Sequence, residues 1–493
     1  MITIRHNEKI KINLLRMLLS VSGVLLCVGM MELGALGIKN VNYLVASIVT
    51  SFLFWFYSSK GLFVNRIDKL IVLITIFVTL STGRMLSAKY GILNLYVIGG
   101  GLAAGVAIYR AGKLIKELMR QLLDGNFKFY VVASLATAFS VIVIYSLTDQ
   151  LYQQYDIVYS MDSGWVFNNM YPDPQYYDIR HPLINIVYFP IYASCYFVLK
   201  SIGAYSELSI SILIQIFHTQ LFIISTMMLS DITQSKWTKW IYICSAPIIL
   251  NLLFFEKFSI IVFLIILTVW LLKHNDKRSK TSIAVATGTI MTSCVITGFI
   301  LLDRTKKIRN RITESAVCAV YSIAFFISFG RIHTIINGYS EATEMSTFLV
   351  SLPIKAKIYS YLNMIGASEF SIASQIENDK VGWVGLTSNI NLGAVLMFVL
   401  GTIAAVTYYK KFETRVSILW LVFSAVLVLY KGWSIGESPL FAIYFSWAVV
   451  ILTEQGISYF YKWVREDVVC TTWCALMAII NLGITLPIIF SMV

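Results

Sequence analysis

Residues Tyr159–Leu183 read YSMDSGWVFNNMYPDPQYYDIRHPL, a long polar stretch in the first half of a very apolar chain. It carries three acids, Asp162, Asp173 and Asp178, then Arg180 and His181, with Pro172, Pro174 and Pro182. Apolar segments flank it on both sides. Charged side chains and irregular backbone are costly in hydrocarbon. The stretch is therefore read as a loop outside the bilayer, with its flanks buried in or against the membrane.

Composition supports that frame. Of the 493 residues 58% are hydrophobic and 13% charged, with a mean hydropathy of +0.75. Soluble domains carry about 25% charged residues, so a soluble enzyme is excluded. Runs of about 20 apolar residues recur along the chain, the length a helix needs to cross a bilayer. They do not alternate as barrel strands would. The net charge of +13 would suggest nucleic acid in a soluble protein. Here the basic residues fall in links between apolar runs, where they set topology, and no nucleic-acid partner is expected. The seven cysteines sit mostly inside apolar runs. Cys470 and Cys474 are one helical turn apart, and no spacing suggests zinc or a disulfide framework. The N-terminus is basic (Arg5, Lys9, Lys11, Arg16) and lacks a clear small-residue cleavage site, so it reads as an uncleaved first span.

Spans are expected at 14–36, 42–59, 69–87 and 91–109. The links after the second and fourth are basic, which places them and the N-terminus in the cytoplasm. Residues 110–124 read either as an amphipathic helix, with Leu114, Ile115, Leu118, Leu122 and Leu123 at helical spacing, or as a basic loop. The fifth span, 129–148, leads out to the loop at 149–182. The apolar segment 183–203 holds Pro190 and Lys200 and is expected to lie along the outer leaflet. A full crossing would put Lys236 and Lys239 outside. A span at 207–229 returns inward, and 239–273 divides into two spans with Glu256-Lys257 at the outer surface between them. Both flanks of 281–302 are basic, so a hairpin of two short helices turning near Thr292–Thr297 keeps both inside. Span 312–330 leads to a second external loop, 331–387, with Arg331, His333, Glu341 and Glu344. Spans 388–408, 416–433, 439–455 and 469–491 finish the chain, with an external turn KGWSIGESP (431–439) carrying Lys431, Trp433 and Glu437.

The external features suit sugar transfer from a lipid phosphate. An acceptor hydroxyl must lose a proton as it attacks the anomeric carbon, and a carboxylate serves as base. The leaving phosphate needs cationic donors, and further carboxylates favour an oxocarbenium-like transition state. Asp162 is the candidate base and Arg180 with His181 the candidate phosphate site. Trp165, Asp173, Asp178, Glu256, Arg331, His333, Lys431 and Glu437 are candidate substrate contacts. Asp173 and Asp178 alone do not supply the oxygen set a hard divalent cation takes, so no cofactor or metal site is assigned.

An acid just after a span, followed about twenty residues later by Arg180-His181-Pro182-Leu183, resembles the first external loop of GT-C superfamily membrane glycosyltransferases. In many of those enzymes an essential Asp precedes an H-P-P-L or K-P-P-L element. SIGAYSELSISILIQIF (201–217) and SAPIILNLLFFEKF (245–258) resemble the family's next span entry and its later pair of spans with an acid at the outer turn. TSCVITGFILLDRTKK (292–307) resembles its short-helix region. The likeness covers about 129–310. It departs from the family at Leu183, where the second proline would stand, and in the absence of an Arg after Ser206-Glu207. Asp162 stands alone where many members have an acidic pair, and four spans precede the matching region where many have one.

The resemblance implies an all-α polytopic integral membrane protein, a GT-C-like bundle of roughly 11–15 membrane segments. Three regions are expected: a four-span N-terminal part (1–128), a catalytic membrane module (129–310) with the 149–182 loop and the 183–203 juxtamembrane helix, and a C-terminal part (311–493) with the 331–387 loop. It implies an inverting transfer from a polyprenyl-phosphate sugar to a cell-envelope glycan or lipid-linked acceptor at the outer face of a bacterial cytoplasmic membrane, among membrane lipids. Two rival readings stand beside it. One is an O-antigen-type polymerase or ligase working through Arg331 and His333. The other is a lipid-linked oligosaccharide flippase or other transporter.

Overall fold

Short polar caps cut the apolar chain into helices. In the computed structural model, described for residues 13–25, 27–28, 41–59, 109, 112–148, 183–254, 256–329, 351–371, 374–377, 380–383, 385–430, 432, 435 and 441–492, sixteen helices follow in chain order. They are α1 (Asn13–Leu25), α2 (Val41–Ser58), α3 (112–122), α4 (Phe127–Leu147), α5 (Ile184–Ser201), α6 (Glu207–Thr233), α7 (Lys236–Ile243) and α8 (Ala246–Leu253). Then come α9 (Phe258–Lys273), α10 (Ser279–Thr289), α11 (Ile308–Ser328), α12 (Ile354–Ala367), α13 (Leu392–Tyr408), α14 (Phe412–Ala425), α15 (Ile443–Ser458) and α16 (Glu466–Met492). A 3-10 segment, Met291–Leu302, joins α10 to α11, and α14 runs on through a wider turn to Tyr430. One small antiparallel hairpin, β1 (Ser374–Glu377) with β2 (Lys380–Trp383), pairs Ser374 with Trp383 and Glu377 with Lys380. It is the departure from the all-helical expectation among the described residues.

Five of these helices are long and apolar enough to cross a membrane: Phe127–Leu147, Glu207–Thr233, Ile308–Ser328, Phe412–Tyr430 and Glu466–Ile488. Helices α6, α9 and α15 are buried along nearly their whole length. By contrast, α4 and α16 expose Leu135, Phe139, Ile479 and Phe490, the surface that hydrocarbon would cover.

Local chemistry sets the helix ends. Ser206 opens α6 with a reciprocal cap: its Oγ accepts from the Ser209 N–H at 3.0 Å, and its own N–H donates to Ser209 Oγ at 2.8 Å. The left-handed Gln234 closes α6, and Ser235 caps α7 by accepting from the Trp237 N–H. Pro247 lacks an N–H and cannot continue α7, so the chain breaks at Ser245 and restarts as α8.

Ion pairs tie one end of the bundle together. Lys236 meets Asp467 at 2.9 Å, Lys273 meets Glu413 at 3.2 Å and Lys306 meets Glu314 at 2.9 Å. Arg278 joins Asp276 to Glu117 of α3, and Lys239 donates to Asn126 beside the start of α4. This web gathers the C-terminal ends of α6 and α9 with the N-terminal ends of α4, α7, α11, α14 and α16. These are the ends that charge alternation along the sequence groups on one side.

Within 110–124, for which the sequence allows a helix or a loop, residues 112–122 form α3, with Leu118 and Leu122 buried. Residues 279–302 form two short segments bent at the extended Ile290. Lys273, just before this segment, pairs with Glu413 of α14, and Arg415 of the same helix donates to Leu302 O at 2.9 Å, so the two ends of the segment lie together, while the bend stands before the Thr292–Thr297 turn expected from the sequence. Two expectations need correction. The Glu256-Lys257 pair is not at a surface: the residues are 3% and 6% exposed, because α5 and α15 cover the turn. The second loop, 331–387, is not wholly external either. Its α12 runs into the bundle, and Gly366 approaches so closely that an added Cβ would stand 2.7 Å from the Ala394 nitrogen of α13.

Candidate functional site

The arrangement around Glu256 begins with a helix end. The last carbonyls of α8 have no intrahelical donor. Gln215 of α6 supplies one: its amide reaches the carbonyl oxygens of Asn251 at 3.0 Å, Leu252 at 3.1 Å and Phe254 at 3.4 Å. Asn251 turns its own amide back to Pro247 O at 2.8 Å. The turn after α8 is thereby held, and Glu256 follows with its Oε2 accepting the Lys257 N–H at 2.9 Å.

Helix α5 covers this turn. Tyr188 is buried, sits edge-on to the His218 ring of α6 at 5.6 Å, and lies within electrostatic reach of Glu256 and beside Ser259. On the other side, Phe258 packs against Tyr444 at 5.0 Å and Phe441 at 6.2 Å. Ser360 of α12 donates to Ile435 O at 2.9 Å, within the 431–439 turn.

Leu183 follows the 149–182 loop in sequence and is held on α10. Leu183 donates its N–H to Gly288 O at 2.9 Å. Its side chain covers Gly288, where an added Cβ would stand 2.6 Å from Leu183 Cδ1. From Leu183, held against the C-terminal turn of α10, the chain runs directly into α5, which carries Tyr188.

Among the sequence-predicted site residues, Glu256 is described. Asp162, Trp165, Asp173, Asp178, Arg180, His181, Arg331, His333, Lys431 and Glu437 lie outside the described residues. The described flanks of those loops are held separately: Leu183 on Gly288, Phe441 on Phe258 two residues after Glu256, and Ile435 on Ser360. Sequence reading missed Gln215, His218 and Tyr188 as neighbours of Glu256. The available signal was two polar residues three apart, Gln215 and His218, on one face of an apolar helix.

No group of three or more His, Cys, Asp or Glu among the described residues has a metal-holding arrangement. Glu256, Tyr188, Ser259 and the His218 ring form a buried cluster of polar groups beside a carboxylate. No family model, no curated protein and no solved structure matches this chain.

Proposed function

We propose that this protein is a membrane glycosyltransferase of the GT-C kind. It takes a sugar from a polyprenyl-phosphate carrier and places it on a cell-envelope glycan or lipid-linked acceptor. In this reading Asp162 takes the proton of the acceptor hydroxyl as that oxygen attacks the anomeric carbon. The bond from that carbon to the phosphate oxygen breaks, and the lipid phosphate leaves with the electron pair, held by Arg180 and His181. The ion-paired end faces the cytoplasm by the positive-inside rule, and the Glu256 end faces outward.

The observation that supports this reading best is the Leu183–Gly288 bond. It ties the end of the polar loop to the α10 turn and leads through α5 to Tyr188 above Glu256. A phosphate site at Arg180-His181 and a carboxylate at Glu256 are then linked by one short helix. The test is incubation of the purified protein with radiolabelled polyprenyl-phosphate sugars and envelope acceptors. Transfer of label to acceptor is expected.

A transporter or flippase remains the second reading because of one observation. Helices α7 and α8 are broken at Ser245, and the carboxyl-bearing residue Glu369 is fully buried at that break. Broken helices and buried acids are hallmarks of transport sites. Movement of a lipid-linked sugar across vesicles without transfer would favour it.

A further inference from the structure

After α12 the chain makes a tight turn and inserts residues 366–371 into the gap between α7 and α8. Two side chains of α16, Asn481 and Trp473, and the start of α8 hold that turn. The Ala246 N–H of α8 donates to Glu369 O at 3.1 Å. Asn481 of α16 donates to the same oxygen at 2.7 Å and to Cys244 O of α7 at 2.7 Å, and it accepts from the Ser371 N–H at 2.6 Å. Phe370 packs edge-on against Trp473 at 5.6 Å. Irregular backbone at membrane depth is tolerated where protein satisfies it, and Asn481 does so for two carbonyls and one N–H.

The Glu369 side chain is different. It has no exposed surface. Its Oε2 accepts from Trp473 Nε1 at 3.1 Å, while Oε1 has no hydrogen-bond partner among the described residues. The groups that face it are Thr453 of α15 and Trp473 and Cys474 of α16, with Cys244 of α7 next to Cys474. No lysine, arginine or histidine among the described residues acts on it. Trp473 lies seven residues and Asn481 fifteen residues into α16 from the ion-paired end, about 10 and about 22 Å at 1.5 Å per residue. The carboxyl therefore sits within the depth that lipid hydrocarbon spans. An uncompensated carboxylate there is strongly disfavoured against the neutral acid. The backbone bonds at Glu369 O also keep the side chain from reaching either polar end while the turn is seated.

We propose that Glu369 is an intramembrane proton-binding site whose proton keeps the 366–371 turn seated in the α7–α8 break. When the carboxyl O–H bond breaks, the electron pair stays on oxygen and the proton passes to water. The resulting carboxylate drives the turn toward the polar end of the bundle, releasing Ala246 and Asn481. This function is independent of any glycosyl transfer and joins the segment after α12 to the broken helix.

The test uses the full-length protein in lipid vesicles and needs no substrate. Infrared spectra at neutral pH are expected to show the carbonyl stretch of a protonated carboxylic acid that shifts in deuterium oxide and is missing in Glu369→Gln. Trp473→Phe keeps the acid and removes its donor, so the band should move to a different frequency. Hydrogen exchange of peptides covering 244–249 and 366–371 should accelerate with rising pH in the wild type by at least tenfold more than in Glu369→Gln, a permanently neutral mimic. Identical acid bands in wild type and Glu369→Gln, or equal pH dependence of exchange in the two proteins, overturns the proposal. An acid band lost in Glu369→Gln but unmoved in Trp473→Phe overturns the assignment to this geometry.

Discussion

Leu183 lies on Gly288: its N–H donates to Gly288 O at 2.9 Å, and its side chain fills the place a Cβ would take. A Cβ there would make the Leu183 side chain shift. The contact joins the last residue of a polar loop to the turn of a short helical hairpin, so the two regions keep one register.

Enlarging Gly288 should therefore disturb the loop before it disturbs the bundle. Gly288→Val forces Leu183 away at a cost of about 1–3 kcal/mol, the range for overpacking. Gly288→Ala combined with Leu183→Ala should recover much of the loss caused by Gly288→Ala alone, since the clashing atoms are gone. Thermal unfolding of the four proteins of this cycle in detergent measures the coupling. Additive losses would mean that the contact is not the source.

Asn481→Ala leaves Cys244 O, Glu369 O and the Ser371 N–H without their shared partner, though Ala246 still donates to Glu369 O. Each orphaned buried group costs about 1–3 kcal/mol, so a loss of at least about 2 kcal/mol is expected. Equilibrium unfolding in mixed micelles reads it. A change below about 0.5 kcal/mol, the scale of ordinary surface substitutions, would show that the 366–371 turn is held some other way.

Helices α13 and α15 meet at Gly456, where a Cβ would stand 2.4 Å from Leu400 O. Small residues permit such approach between membrane helices. Gly456→Leu should separate the pair and lower the unfolding temperature more than Gly483→Leu, whose position has nothing within 4 Å. Equal shifts would contradict the close packing.

The ion-paired end carries a pH signature. Arg278 beside Asp276 holds that carboxyl below its ordinary value by hydrogen bonding and charge. A carboxylate depressed in the folded state contributes stability above its unfolded value, near 4, and loses that contribution as pH falls through the folded value. Arg278→Gln should therefore be less stable than wild type at pH 7, with the gap closing below about pH 4. Acid titration of unfolding in both proteins measures it. A gap that persists at low pH would assign the effect to packing and not to charge.

Much of the helix order was legible in the sequence because charge and apolar length carry it. That the two ends of 279–302 lie together follows from their basic flanks, and the Ser206-Glu207 start of α6 from its cap. The α7–α8 break was written in Ser245-Ala246-Pro247, yet it lay inside one long apolar run whose only visible interruption was Glu256-Lys257. Burial of that pair was not legible, since the cover comes from Tyr188 and Tyr444, residues distant in sequence. Glu369 was lost among polar neighbours. It stands within the 331–387 stretch expected to be external, and the tertiary path of α12 buries it. Of the candidate site, the described residues include Glu256 with its neighbours Gln215 and Tyr188, which come from helices distant in sequence and carry no local signal of that contact.

The central claim rests on Asp162 as the base. The direct measurement is label transfer from radiolabelled polyprenyl-phosphate sugars by wild type and Asp162→Asn, with donor binding followed in the same vesicles. Wild type is expected to move label to acceptor, and Asp162→Asn to bind donor while transfer falls by about 10²–10⁴-fold, the usual contribution of a positioned base. Undiminished transfer in Asp162→Asn, or label carried across the vesicle membrane by wild type with none transferred, would contradict the account.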